Sequence, residues 1–210
     1  MFTRYSKRIF LLILAITAVG VVPSKSSVVV VSQSFDLPIP SLDDPDSSLG
    51  RGRMDDAIIN VAENCFIEDI DIAVLINHEA FYDLEIVLQN PAGTSITLNP
   101  ATNNAFIIQD EGGSRSAGGQ NRFLFDDEAL IDIENAVQPF DQPFRPMEDS
   151  ELSVFDGEYA YGQWRIQIRD AGFGKTGCLE QVELIITTPE PATIMLLALG
   201  TIAIYKRKSP

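Results

Sequence analysis

From Ile70 to Leu98 the chain reads IDIAVLINHEAFYDLEIVLQNPAGTSITL, and the spacing of its apolar residues is the main indication of fold class. Apolar residues recur at every second position from Ile70 to Ile76 and again from Leu84 to Leu88, which is the period of β-strands with one buried face. The sequence Asn90-Pro91-Ala92-Gly93 then supplies turn residues, because proline fixes one dihedral angle and glycine accepts a positive φ. We therefore predict a hairpin whose return strand runs from Ser95 to Leu98.

The same alternation recurs later in the chain. It covers Trp164 to Ile168 and, after the glycine-rich turn from Ala171 to Gly177, it covers Val182 to Ile186. Phe106 to Ile108 and Arg122 to Phe125 are shorter candidate strands, and helical periodicity is weak throughout. Many short strands separated by turn residues predict an all-β fold, specifically a jelly-roll β-sandwich of about eight antiparallel strands.

Both ends of the 210-residue chain have the composition of targeting segments. Residues 1–27 combine basic residues with an apolar run from Ile9 to Val22, as a secretory signal peptide does, although an uncleaved membrane anchor has the same features. Residues 188–210 contain Pro189, Glu190 and Pro191, then an apolar run, then a basic end that stays on the cytoplasmic side of a bilayer. An ordinary C-terminal membrane anchor is the alternative there. Residues 28–54 are predicted to be a linker, and residues 55–187 the folded domain.

The charge of the chain and its few cysteine and histidine residues argue against nucleic-acid binding and against zinc sites. From Asp36 to Thr187 there are 29 acidic and 8 basic residues, a balance that repels nucleic acid and anionic lipid. Nucleic acid is therefore not an expected partner. Cys65 and Cys178 are the two cysteines of the chain, and such a pair in an exported protein predicts a disulfide that ties the two ends of the domain together. A single histidine, His78, excludes zinc sites built on several imidazoles.

Three segments together resemble the P domain, or Homo B domain, of proprotein convertases: NHEAFYDLEIVLQNPAGTSITL (77–98), RFLFDDEA (122–129) and FRPMEDSELSVFDGEYAYGQWRIQIRDAGFGKTGCLEQVELIIT (144–187). The positions that match the family pattern are His78, Asp83, Leu84, Pro91, Gly93, Thr94, Phe125, Asp126, Asp127, Glu128, Ala129, Phe155, Gly157, Gly162, Trp164, Asp170, Gly174 and Gly177. The resemblance implies an eight-stranded jelly roll that, in the convertases, packs against and stabilises a subtilisin-like protease domain. It implies no catalytic residue in this chain, and no nucleophile motif lies near His78.

The C-terminal segment from Thr188 to Pro210 resembles the PEP-CTERM sorting signal. This resemblance implies an exosortase-type sorting peptidase as a partner. It also implies export to the cell surface or the extracellular space, with the tail serving as a transient membrane anchor.

One group of residues is a candidate metal site. Asp126, Asp127 and Glu128 follow a predicted strand directly, and carboxylates at a strand end are ligands that calcium prefers. Asp110 or Asp156 would be the further ligands. The alternatives are an exposed acidic loop, or an N-terminal cap for a short helix from Asp127 to Val137.

The remaining candidate residues favour structural roles. We expect His78 to form hydrogen bonds within the fold, and Trp164 to fill the core rather than stack on a sugar ring. The acid pairs Asp55-Asp56 and Glu148-Asp149 lack a pocket signature, so a glycosidase is not predicted.

The expected function is an exported, non-catalytic binding or structural module of the cell surface or extracellular matrix. Its expected partner is an unidentified surface protein or an exopolysaccharide. The alternative is an accessory domain that stabilises or regulates a separate subtilisin-like serine protease.

Overall fold

A computed structural model describes residues 26–45, 51–101, 120–136, 140–147 and 150–189 of the chain. Across these ranges the regular structure consists of strands and short 3-10 helices, without an α-helix. The strands are β1 (Ser27–Ile39), β2 (Ala57–Val61), β3 (Asp69–His78), β4 (Leu84–Gln89), β5 (Ser95–Pro100), β6 (Gln120–Phe125), β7 (Pro143–Phe144), β8 (Gly162–Asp170) and β9 (Gly177–Thr188). The 3-10 helices are Phe81–Asp83, Ile133–Asn135 and Leu152–Phe155.

The strands form two sheets. One has five strands in the order β1-β9-β3-β6-β7, and the other has four in the order β2-β8-β4-β5. All neighbours are antiparallel except the short β6–β7 pair, which is parallel. The predicted all-β sandwich is confirmed, with nine strands in the described ranges instead of about eight.

The core lies between the inner faces of the two sheets and follows the period-two pattern of the sequence. In β8, Trp164, Ile166 and Ile168 are buried while the residues between them are partly exposed. The Trp164 ring packs edge-on against Phe155 at a centroid distance of 5.2 Å, which joins the 3-10 helix Leu152–Phe155 to the four-stranded sheet. Apolar burial of this kind stabilises the fold by roughly 1.5–3 kcal/mol for each large side chain.

The predicted hairpin at Asn90–Gly93 is confirmed as β4 and β5. The Asn90 amide donates to the Thr94 carbonyl at 2.9 Å, and Gly93 adopts the positive φ of 93° that the turn requires. A register shift between Ile86 and Val87 lets β5 extend to Pro100, two residues beyond the predicted end.

The prediction of a linker over residues 28–54 is wrong, because β1 occupies its first part. This strand pairs with β9 from Ser27 opposite Thr188 to Ile39 opposite Gly177. Val29, Val31, Phe35 and Leu37 alternate with exposed residues along β1 and pack against the core, as a strand of the sandwich does. The predicted signal peptide lies outside the described residues, apart from its last two positions.

The predicted disulfide is also wrong, because Cys65 and Cys178 are both free thiols. Cys178 lies opposite Asn77 near the end of β3, whereas Cys65 precedes the start of that strand. β3 and β9 are antiparallel, so their starting residues lie at opposite ends of the sheet. The stretch from Asp69 to Asn77 spans about 26 Å, against the roughly 7 Å between Cα atoms that a disulfide tolerates.

Candidate functional site

The predicted acidic segment forms a turn where β6 ends. The Ala129 amide donates to the Asp126 carbonyl at 3.1 Å, and the Glu128 amide donates to Asp126 Oδ1 at 2.7 Å. These bonds hold the turn directly beside β3, since Phe125 pairs with Ile72. The turn therefore presents its carboxylates next to the first residues of β3.

Asp127 has a structural role in this turn. Its Oδ1 accepts the Leu152 amide at 2.9 Å and its Oδ2 accepts the Ser153 amide at 2.8 Å. Both amides belong to the first turn of the 3-10 helix Leu152–Phe155 and have no partner within that helix. A helix starting at Asp127 was one alternative from the sequence. The structure instead has Asp127 capping a different helix, and Asp127–Ala136 contains only the 3-10 turn Ile133–Asn135.

Two further carboxylates belong to this region, and sequence reasoning missed them. Asp69 and Asp71 alternate with Ile70 and Ile72 along β3, so their side chains project from the outer face of the five-stranded sheet. Two facts together identify them: their alternation with buried residues, and the pairing of β3 with β6. The alternation can be read from the sequence, but the pairing cannot.

The carboxylates of this region repel one another. Burial raises the pKa of Asp71 to about 7, together with the negative charges of Asp126, Asp69, Glu128 and Asp127. The pKa of Asp156, one of the predicted extra ligands, is also raised by burial and by Asp69, Asp127 and Glu68. Asp156 therefore belongs to the same acidic face, whereas Asp110 lies outside the described residues. We call Asp69, Asp71, Asp126, Asp127, Glu128 and Asp156 the acidic face.

The fit of this face to calcium is partial. Carboxylate oxygens are the donors that calcium prefers, and the crowding of negative charge favours a divalent cation. However, within the described ranges no three acidic, histidine or cysteine side chains are placed to hold one ion together. Both carboxylate oxygens of Asp127 already accept backbone amides, and a side-chain hydrogen bond between Asp126 and Glu128 raises the pKa of Glu128.

An open cleft of about 650 Å³ adjoins the acidic face. Four of its residues, Asp127, Glu128, Glu134 and Glu151, carry carboxylates, and a fifth carboxylate at Asp132 pairs with Arg145 at 2.8 Å. The cleft is also lined by Asn135, Pro146, Met147, Ser150 and Ser153. Its charge suits a cationic ligand and disfavours anionic ones.

His78 and Trp164 have the structural roles predicted for them. His78 is buried and bonds to Asp170 and to the Ala80 amide, at 3.2 and 3.0 Å. Trp164 is fully buried and its indole N–H donates to the Ala160 carbonyl at 2.9 Å, so it presents no surface to a sugar ring.

The acid pair Asp55-Asp56 directly precedes β2, and Asp56 contacts Arg165 and Gln167. The other acid pair, Glu148-Asp149, lies outside the described residues.

The sorting motif lies mostly outside the described ranges, which end at Pro189, while Glu190 and Pro191 follow. In the part of the chain that the structure describes, no helix is long and apolar enough to cross a membrane.

Several solved structures align with most of this chain, and each of them is a much longer chain. The serine protease of Aeromonas sobria aligns at 19% identity and a TM-score of 0.46, covering 78% of this chain and 27% of the protease. A structure of the same protease with the chaperone ORF2 aligns at 19% identity and a TM-score of 0.46, covering 85% of this chain and 29% of that one. The structure of PfGH50B aligns at 10% identity and a TM-score of 0.39, covering 80% of this chain and 24% of that one. The chain thus spans under a third of the length of these proteins. No curated protein matches it.

Two family models match the sequence, and together they cover residues 67–209. The PEP-CTERM protein-sorting motif matches residues 187–209, which marks the chain for export with a C-terminal sorting signal that exosortase processes. The proprotein convertase P-domain matches residues 67–186. Both matched families are non-catalytic, in agreement with the prediction that the chain is not an enzyme. Since the P-domain match extends over more than half of the sequence, this chain belongs to the proprotein convertase P-domain family.

Proposed function

We propose that this chain is an exported, non-catalytic binding or structural module of the cell surface or extracellular matrix, stabilised by calcium on its acidic face. The observation that carries the proposal is the position of the two ends of the folded unit. Ser27 lies opposite Thr188, with their hydroxyl oxygens 2.6 Å apart, so both ends leave the five-stranded sheet at the same place. A tail that follows Thr188 would attach the domain by this end.

Attachment by one end leaves the other end free for contacts. The opposite end carries the loop between β8 and β9, in which Phe173 is 69% exposed. This loop is held in place, because the Gly174 amide donates to Ser41 Oγ at 2.8 Å and the Leu42 amide donates to the Gly172 carbonyl at 3.0 Å. The expected partner of the displayed domain is an exopolysaccharide or another surface protein.

Display is tested by labelling in intact cells that possess a sorting peptidase. Phe173→Cys, in a chain carrying Cys65→Ser and Cys178→Ser, should react with a membrane-impermeant maleimide before lysis. Phe155→Cys is the matched control, since Phe155 is fully buried and should react only after denaturation. Reaction of the Phe173→Cys chain only after lysis would refute surface display.

Calcium is supported by the charge of the acidic face. Burial, together with the repulsion of neighbouring carboxylates, raises the pKa of Asp71 to about 7, and a divalent cation there would offset that repulsion. Because no three of the described carboxylates are placed to hold one ion together, at most two of Asp69, Asp71, Asp126 and Glu128 would bind it, with water or backbone oxygens completing the shell. The oxygens of Asp127 already accept two amides. An ion present at 100 times its dissociation constant stabilises a protein by about 2.7 kcal/mol, which corresponds to roughly 5–10 °C for a domain of this size.

The test is thermal unfolding of the purified chain in EDTA and then in millimolar calcium. We expect calcium to raise the midpoint of thermal unfolding by several degrees in the wild type and in Asp55→Asn. Asp55 is the control position, because it is exposed and lies outside the acidic face. Asp71→Asn should lose most of this rise. An unchanged midpoint in the wild type would rule out calcium, while leaving the display experiment unaffected.

A second candidate function follows from the family match. P domains are the non-catalytic partners of subtilisin-like proteases, and the match covers residues 67–186. This chain would then stabilise a separate serine protease that lacks its own P domain. Adding the chain to such a protease from the same organism should lengthen the half-life of proteolytic activity at elevated temperature. An unchanged half-life, with no co-purification, would exclude this role.

A further inference from the structure

The edge strand β1 has an unusual combination of length and composition. It is 13 residues long, and no strand in the described part of the chain pairs with its outer side. The segment Val28–Phe35 contains neither a charged residue nor a proline. Val28 and Val30 are each 58% exposed. Such an edge presents a row of backbone N–H and C=O groups that can pair with another strand.

The other sheet edges carry the features by which proteins prevent strand pairing. β7 is two residues long and begins with Pro143, and β5 ends at Pro100. β2 is five residues long and directly follows Asp55 and Asp56. Short length, proline and charge each block edge-to-edge pairing. β1 lacks all three over eight consecutive residues.

We propose that β1 pairs with β1 of a second copy of this chain, antiparallel and around a two-fold axis. The two five-stranded sheets would then become one continuous sheet. A pairing centred on Val31 places Val30 opposite Ser32 of the second copy, and it keeps inward and outward residues on their own faces. This inference does not depend on the proposed function.

The lack of charge on this segment allows a second copy to be the occupant. The chain has a net charge of -15, so most surfaces of two copies oppose acid to acid. Pairing within Val28–Ser34 brings no charged side chains opposite each other. Identical strands are self-complementary in antiparallel orientation, because each residue pair is repeated by the two-fold axis.

The size of the contact predicts a weak dimer. The seven paired residues of Val28–Ser34 span about 24 Å, and one strand pair buries less than the ~1,600 Å² of a standard stable interface. We therefore expect a reversible dimer with a dissociation constant in the range of about 10 µM to 1 mM. Attachment of many copies to one surface would raise their local concentration and favour pairing.

Sedimentation equilibrium of the full chain in density-matched detergent tests the proposal over a 100-fold range of concentration. We expect the wild type to dimerise as concentration rises and Val30→Lys to raise the dissociation constant at least tenfold, because a lysine on each copy opposes pairing. Val30 is exposed, so this change should leave the near-ultraviolet circular dichroism unaltered. Leu130→Lys is the matched control, since Leu130 is 93% exposed and lies outside the strands.

Amide hydrogen exchange gives a second readout at the proposed contact. Exchange of Val28–Phe35 should slow with increasing concentration in the wild type and in Leu130→Lys, but not in Val30→Lys. A wild type that stays monomeric throughout would overturn the proposal. A dimer that Val30→Lys does not weaken would also overturn it, since that dimer would form through another part of the chain.

Discussion

His78 Nε2 lies 3.2 Å from Asp170 Oδ2, and the side chains of both residues are at most 1% exposed. His78 Nδ1 accepts the Ala80 amide, which places the ring proton on Nε2, directed at the aspartate. The second oxygen of Asp170 accepts the Gly172 amide at 2.7 Å. The pair thus connects the end of β3 to the end of β8 within the core, and both imidazole nitrogens are engaged by the fold.

Replacing Asp170 by alanine should destabilise the domain strongly. The substitution leaves the His78 ring proton and the Gly172 amide without acceptors in a buried site, and breaking a buried pair of this kind costs about 3–5 kcal/mol. Urea denaturation at pH 7 measures this loss. Asp170→Asn should cost less, since its amide oxygen can still accept one of the two hydrogens.

Asp55→Ala serves as the control for Asp170→Ala, because Asp55 is exposed and its removal should change stability by less than about 0.5 kcal/mol. Equal midpoints for Asp170→Ala and Asp55→Ala would show that the buried pair contributes little to the fold.

Asp71→Asn should stabilise the domain at neutral pH in the absence of calcium. The pKa of Asp71 is raised in the folded state to about 7, above its ordinary value of 3.8. Between these two values the folded state holds a proton that the unfolded state has lost, so stability falls as pH rises. Asparagine removes this dependence. Because Asp71 is only partly buried, we expect a gain of only about 1–2 kcal/mol at pH 8 and almost none below pH 4.

The measurement is chemical denaturation at several pH values with EDTA present. Asp55→Asn, at an exposed position outside the acidic face, should run parallel to the wild type across the whole range. A constant difference between Asp71→Asn and the wild type from pH 4 to pH 8 would contradict a raised pKa of Asp71 in the folded state.

The sequence predicted the elements in which local pattern and burial coincide. The alternation around Trp164 and the turn at Gly93 depend on neighbouring residues, so both were predictable. Asp71 was missed as a site residue because its neighbours Asp126 and Glu128 lie in the turn after a different strand, β6, and strand order is not encoded locally. β1 was missed because its valines follow an apolar signal segment with no clear boundary in composition.

The cysteines illustrate the same limit. Their number and the expected export favoured a disulfide, but the direction of β3 relative to β9 separates Cys65 from Cys178. Each lies near the start of its own strand, and antiparallel pairing places those starts at opposite ends of the sheet. A rule based on cysteine count contains no information about strand direction.

Stability should therefore be independent of reducing agent. Intact mass after export should show two free thiols, and dithiothreitol should leave the unfolding midpoint unchanged. Burial raises the pKa of both thiols, so less thiolate is present at pH 7 and alkylation should be slower than for an exposed cysteine. A mass lower by two hydrogens, together with a midpoint that falls in dithiothreitol, would restore the disulfide.

Gly52→Ala should destabilise the domain by more than about 3 kcal/mol. Gly52 has a φ of 71°, and a Cβ atom at this position would lie 2.0 Å from the Asp170 carbonyl oxygen. The Gly52 carbonyl also accepts the Asp170 amide at 2.7 Å, so the backbone there has little freedom to move away. Both the left-handed conformation and the collision therefore act against alanine.

Gly174→Ala separates these two contributions. Gly174 has nearly the same φ, 70°, but a Cβ atom there would meet nothing within 4 Å. Gly174→Ala should therefore be destabilised only by the cost of the left-handed conformation for alanine, about 1–2 kcal/mol. Denaturation of the two variants side by side measures the difference, which reports the close approach of the Gly52 segment to Asp170. Equal losses in the two variants would mean that this contact relaxes without cost.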